Sequence, residues 1–414
     1  MQAVILAHQD SVHLRQLLAS GLSSHLPLSK HTVLSNLLNV FRSAGILDVI
    51  ILCRPNQAAQ LEKGLKNSTD SSSRLAFVEV PASLSLPECI YRIRDRISSP
   101  YLFVTYGDLA VTDLNVRRLF LAMVRTRASV VSVVSPYTKD PKLLKSTPHD
   151  LLVVDQVSEQ LVMYVPDADM KKQVRFPKQV LASHNHLVTC SDYHDVGFYL
   201  FSSFALKLLE WIRDDSGAKK NFLKHLVNVE QYRPCPFDAS QLCGDFPPEL
   251  RLDESEIPKS LKVCTIVHQD TAVCRRLDSP TSYLEAVKLV REKYPSADQS
   301  TDAAPKDAPG RTPVADCSVG ADCVFGKGIL VRSCILGARC KIADDSRVLS
   351  SVLLPDVTVK EGCKLTNCLI GEGAVIEENC VLKDCTVAAR QQVPARVQIQ
   401  AENLGFSEID VELV

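Results

Sequence analysis

One pair of residues, Asp316-Cys317, returns at Ser333-Cys334, Ser350-Ser351, Asn367-Cys368 and Asp384-Cys385, each step 17 residues long. Three aliphatic ladders keep that period. They read Val319, Leu336, Leu353, Ile370, Val387; then Phe325, Ile342, Val359, Ile376, Val393; then Val314, Val331, Val348, Leu365, Leu382, Ile399. Within one period the ladders stand 6, 6 and 5 residues apart, so each coil has three short sides, each pointing one large apolar residue inward. That spacing predicts a parallel β-helix of about five coils, triangular in section, over 313–405. Equivalent side chains of successive coils then stack about 4.8 Å apart in a continuous column. Eight of the chain's 15 cysteines lie between Cys317 and Cys385, in pairs one period apart. They are expected to be packed thiols at inward or corner positions; bound zinc and inter-coil disulfides are the sharper alternatives.

The rest of the chain is organised differently. A polar, proline-containing stretch over 296–312 reads as a linker inside a connecting segment, 241–312. Before it, strands and helices alternate over 1–240. Strands are predicted at Ala3–Leu6, Asp48–Cys53, Ala76–Val80, Tyr101–Thr105 and Ser129–Val134, and an amphipathic helix at Thr32–Ala44. A further strand, Tyr193–Phe201, leads into a helix around Phe204–Ile212. The expected fold class is therefore α/β: a doubly wound, Rossmann-like domain with a mostly parallel sheet, followed by the C-terminal β-helix.

In such a sheet, ligands bind beyond the carboxyl ends of the strands. After the first strand comes His8-Gln-Asp-Ser-Val-His-Leu-Arg15, without a glycine. A phosphate cradle needs glycines so that backbone N–H groups can close on the anion. A working triphosphate loop is therefore not expected. Beyond the Tyr101 strand lies Asp108, placed either to hold Mg²⁺ or to cap a turn. His194 and Asp195 enter the later strand and either line the same cleft or, the preferred reading, are ordinary turn polarity. Lys139–Lys145 and Lys171-Lys172 read as solvated loop charge, and His184 and His186 lack a third metal ligand at suitable spacing. No metal or cofactor is expected.

Charge and hydropathy exclude some classes. With 47 basic and 48 acidic residues, no broad field favours nucleic acid or a membrane surface. No apolar run approaches the roughly 18 residues that span a bilayer, and the N-terminus lacks a signal-peptide pattern. A cytosolic protein is expected.

A doubly wound domain followed by a hexapeptide-type β-helix resembles the nucleotidyltransferase family of sugar-nucleotide pyrophosphorylases, which includes two subunits of translation initiation factor 2B. Leu26–Leu52, Leu161–Asp169, Tyr283–Ala286 and Thr366–Gly371 are most similar to the gamma-subunit branch. The resemblance implies that the β-helix is left-handed. It also implies a degenerate nucleotide cleft at His8, Ser11, His13, Ser23, Asp108 and Asp195, with His13 near the family's loop arginine, Ser23 near its lysine and Asp108 at its metal-binding aspartate. The function it implies is that of a non-catalytic regulatory and structural subunit of the guanine-nucleotide exchange factor for initiation factor 2. Such a chain pairs with an epsilon subunit, joins the other subunits of the complex and engages the GTPase without contacting nucleic acid or membrane. The epsilon branch carries a further helical exchange domain, which is not expected here. The alternative is an active sugar-1-phosphate nucleotidyltransferase.

Overall fold

A computed structural model describes residues 1–9, 11–19, 21–29, 31–66, 73–136, 150–166, 174–213, 217, 221–232, 261–268, 273–293 and 314–406. The linker 296–312 and the lysine clusters at 139–145 and 171–172 lie outside these residues. The chain divides into two compact units, Met1–Gln9 with Leu38–Cys274, and Asp10–Leu37 with Arg275–Val414.

The first unit is built on a ten-stranded sheet. Its strands are β1 Gln2–Leu6, β2 Asp48–Cys53, β3 Arg74–Glu79, β4 Tyr101–Tyr106, β5 Val130–Pro136, β6 Leu151–Asp155, β7 Gln160–Val165, β8 Leu187–Cys190, β9 Tyr193–Ser202 and β10 Val263–Val267. They lie in the order β3-β2-β1-β4-β9-β5-β10-β7-β6-β8. The sheet is parallel from β3 to β4. Beyond that, β9 runs antiparallel to both β4 and β5, and β6 antiparallel to β7 and β8. The sheet is thus mixed rather than mostly parallel. The central strands read as continuous aliphatic runs because both faces are covered: Ala3, Val4, Ile5 and Leu6 of β1 are all fully buried. Helix Val116–Thr126 packs on β5 and β10, and helix Leu86–Arg92 packs against Ser203–Ile212. Helix Leu86–Arg92 opens with a capping box, in which the Glu88 carboxylate accepts the Ser85 backbone N–H at 2.7 Å.

The second unit contains the β-helix. Three parallel sheets of six, six and five short strands form its sides. Their register is the 17-residue ladder: Val319 pairs with Leu336, Leu336 with Leu353, Leu353 with Ile370 and Ile370 with Val387. The second ladder pairs Phe325 through Ile342, Val359 and Ile376 to Val393. The third runs from Val314 to Ile399 in the same way. The inward residues from Leu336 to Val393 form one buried core, with Val319 and Phe325 only partly covered at the open end.

Each corner turns on a residue in the left-handed backbone region. One corner column, Asp316, Ser333, Ser350, Asn367, Asp384 and Ala401, has φ between 48° and 57°. The other columns, Asp322, Arg339, Asp356, Gly373, Arg390 and Gly328, Asp345, Gly362, Asn379, Arg396, do the same. Asp, Asn and Gly recur there because they tolerate that conformation best. The residue after a corner is most often small and inward-facing, cysteine, serine or alanine beside Ile329 and Val357, and here the cysteines find their reason. The Cys363 thiol donates to Glu377 O at 2.9 Å, Cys380 to Pro394 O at 3.0 Å and Cys340 to Leu354 O at 3.2 Å, each a carbonyl 14 residues on. Ser346 holds the same position with its hydroxyl on Lys360 O at 2.9 Å. Cysteine and serine therefore alternate in one structural role, tying coil to coil at the corners. All thirteen described cysteines are free thiols.

Candidate functional site

The carboxyl edge of the first sheet holds three of the six candidate residues. β1 and β4 are adjacent and parallel, with Leu6 opposite Tyr106, so His8 and Asp108 leave neighbouring strand ends on one edge. The two chains stay in close contact beyond the strands: Gly107 N–H donates to Leu6 O at 2.9 Å, and a Cβ on Gly107 would lie 2.8 Å from Ala7 Cα. β9 reaches the same edge from the opposite direction, since Phe198 pairs with Thr105. Asp195 stands there beside a β-bulge between Asp195 and Tyr199. Its carboxylate accepts the Gly197 N–H at 3.2 Å and the Tyr199 hydroxyl. Gly197 is required at this point: its φ is +72°, and a Cβ would come within 2.4 Å of the Tyr106 ring. Asp108 is almost completely buried.

His8 does not present a charge to this edge. Its ring is buried, with Nε2 3.2 Å from Leu84 O and 3.3 Å from the Cys89 sulfur. With Nε2 assigned the proton, that nitrogen donates to the carbonyl. Burial, assisted by the Arg54 guanidinium, lowers the imidazole pKa to about 4, so the ring is neutral at physiological pH. The Arg54 Nε–H donates to the His8 backbone carbonyl at 2.8 Å. Burial also pushes the Cys89 thiol up to about 12. The first residues after β1 are therefore packed into the interior of their own unit.

Ser11, His13 and Ser23 belong to the other unit. Ser11 Oγ donates to Asp278 O at 2.6 Å, His13 is exposed on the single turn Val12–Arg15, and Ser23 is buried in the short turn Ser23–His25. Their segment is engaged with the β-helix. Glu372 N–H donates to Leu17 O at 2.8 Å, Ala389 N–H to Gln16 O at 2.8 Å, and Ala19 N–H to the Glu372 carboxylate at 2.8 Å. Further along, the Tyr283 hydroxyl donates to Pro27 O at 2.6 Å and Ser318 Oγ to Ser29 O at 3.2 Å. One outward row of the β-helix, Ile335, Val352 and Leu369, is at most 3% exposed, although alternation should turn it to solvent. Eight leucines of the 10–37 segment, at 14, 17, 18, 22, 26, 28, 34 and 37, are buried in the same unit. The segment's Ala19 N–H, a donor of the kind that closes on an anion, is thus spent on the Glu372 carboxylate, its Gln16 and Leu17 carbonyls accept from the coil edges, and its leucine side chains are hydrophobic packing. The missing glycines are legible in the sequence; the leucine spacing that shows what replaced them is the signal that reading the loop for phosphate chemistry passes over.

Elsewhere, His184 Nδ1 lies 2.9 Å from the Asp155 carboxylate, which this hydrogen bond holds down at a pKa of about 2. This is a structural pair at the end of β6. Among the described residues no cluster of three or more His, Cys, Asp or Glu could hold a metal ion, and no helix is long and apolar enough to cross a membrane.

Comparison with known proteins bears on both parts of the chain. Residues 303–383 match the family described as GlmU-like, C-terminal hexapeptide. The chain is also similar to translation initiation factor eIF2B subunit gamma of Dictyostelium discoideum, with 23% identity over 245 residues. That match covers 52% of this chain and 55% of the relative, so the chain spans about half the length of the curated protein it matches. The two similarities agree with the resemblance to the eIF2B gamma branch read from the sequence. The two parts described above are a nucleotidyltransferase-like α/β domain and a left-handed hexapeptide β-helix. In this chain the segment after β1 groups with the β-helix rather than with the strand it follows.

Proposed function

We propose that this chain is a non-catalytic, regulatory and structural subunit of the guanine-nucleotide exchange factor for translation initiation factor 2. It supports GDP/GTP exchange by pairing with an epsilon-like subunit within a cytosolic multi-subunit complex. The observation that carries this reading is the fate of the segment after β1. Its leucines are buried, and its Leu17 and Gln16 carbonyls accept hydrogen bonds from the β-helix. Its leading histidine is neutral. A nucleotidyltransferase needs backbone donors and counter-charge around the triphosphate; carboxylates alone at a strand edge repel it. His8, Ser11, His13, Ser23, Asp108 and Asp195 are on this reading the remnant of that cleft. The divisions 1–240, 241–312 and 313–405 are likewise the proposed ancestral domains, with residues 10–37 recruited to the last. The similarity to an eIF2B gamma subunit supports the assembly role.

Two assays test the proposal together. Removing this chain from the reconstituted exchange factor should slow GDP release from initiation factor 2 by about tenfold or more, through lost positioning. The chain alone should release no pyrophosphate from any nucleoside triphosphate with Mg²⁺ and a sugar 1-phosphate. Turnover that disappears in Asp108→Asn would reject the proposal in favour of an active pyrophosphorylase.

A further inference from the structure

The three sides of the β-helix differ in how they treat charge. On the side carrying the second ladder, Lys360 pairs with Glu377 and Gln392 bonds the same carboxylate at 2.7 Å. At a corner, Arg339 meets Asp356 at 2.6 Å, again one coil apart. Charges are thus matched between coils, as expected where equivalent residues stack about 4.8 Å apart.

The side carrying the Val331–Val348–Leu365–Leu382 ladder departs from that rule. Its outward residues include Arg332, Arg347, Lys364 and Lys383, all exposed, and its strands contain no acidic residue. Arg347 and Lys364 are register partners, so two like charges stand directly opposite each other. None of the four side-chain cations forms an ion pair or hydrogen bond with a described residue. Like charges in register destabilise the fold that holds them. Leu330, Leu349 and Val381 lie between the cations, in register with Arg347, Arg332 and Lys364. The array spans three strand steps, roughly 14 Å, on a flat face.

We propose that this face binds an acidic, extended segment of a partner polypeptide, whose carboxylates meet the four cations and whose aliphatic side chains cover the leucines and valine between them. Carboxylates would relieve the repulsion between Arg347 and Lys364, and arginine offers them a bidentate fork. Protein fits better than nucleic acid: the face carries no aromatic on which bases could stack, and aliphatic residues interrupt the track a phosphate backbone would follow. The inference rests on the assembly reading, since it requires a partner chain.

The test uses the complex purified from its native cells. A carbodiimide joins a lysine amine to a carboxylate in contact with it, and mass spectrometry locates the link. Links from Lys364 and Lys383 to one contiguous Asp- or Glu-containing segment of a partner chain are expected. The double variant R347E/K364E should weaken co-purification of that partner at least tenfold, whereas K341E, on another side of the prism, should not. An assembled complex without such links overturns this inference and leaves the assembly reading standing; absence of any complex overturns both. Two other results also overturn it. One is linking to the chain's own Glu408, Asp410 or Glu412, which would assign the face to its own acidic end. The other is loss of affinity for a 20-nucleotide single-stranded RNA in R347E/K364E, with partner recovery unchanged.

Discussion

Ile370→Ala probes the column on which the β-helix stands. Ile370 is fully buried and stacked in register between Leu353 and Val387, themselves fully buried. Truncation removes three carbons; at about 0.8 kcal/mol per buried CH₂ the transfer loss is about 2.4 kcal/mol. Coils fixed by hydrogen bonds on both sides, such as Leu369 N–H to Cys385 O at 2.9 Å, cannot close the gap, so a cavity contribution brings the total to about 3–4 kcal/mol. For a unit of this size that is a fall in Tm of roughly 6–16 °C. Val319→Ala is the internal control. Val319 sits in the same column at the open end, where it is only partly buried, and its truncation should cost under about 1 kcal/mol. Urea unfolding followed by circular dichroism, with equal m-values required, measures both. Equal losses in the two variants, or a loss below about 0.5 kcal/mol in Ile370→Ala, would refute the stacked-column account.

Three further outcomes follow from particular contacts. Cys363→Ser should cost under about 1 kcal/mol, because Ser346 already fills the equivalent corner one coil earlier, whereas Cys363→Leu should cost about 1–3 kcal/mol by overpacking; chemical denaturation distinguishes them. His8 binds a proton at about 4 when folded and near 6.5 when unfolded. Acid therefore favours the unfolded chain: the stability is fully present above pH 6.5 and falls by roughly 3 kcal/mol as pH drops to 4, a step that His8→Gln should abolish in a pH series of unfolding curves. Gly197→Ala should destabilise the first unit by about 2–4 kcal/mol, through its positive φ and collision with the Tyr106 ring, read as a lower unfolding midpoint.

The β-helix was legible because its period repeats at every level. A stacked column demands the same residue class at every seventeenth position, and the structure places Val319, Leu336, Leu353, Ile370 and Val387 in one register. The parallel half of the α/β sheet was equally visible, since buried strands such as Gln2–Leu6 and Asp48–Cys53 read as unbroken apolar runs. The antiparallel half was not. Tyr193–Ser202 shows as a strand, but nothing local says that it inserts between β4 and β5, because partner choice is set by packing across the whole sheet. The loop after β1 was half legible. Its missing glycines exclude a phosphate cradle, yet its transfer to the β-helix depends on backbone carbonyls such as those of Gln16 and Leu17, which carry no sequence signature.

Native mass spectrometry of the chain recovered from its own cells tests the central claim most directly. The account predicts a multi-subunit assembly that contains an epsilon-like chain and accelerates GDP release from initiation factor 2. Recovery of a free monomer that releases pyrophosphate from a nucleoside triphosphate would contradict it.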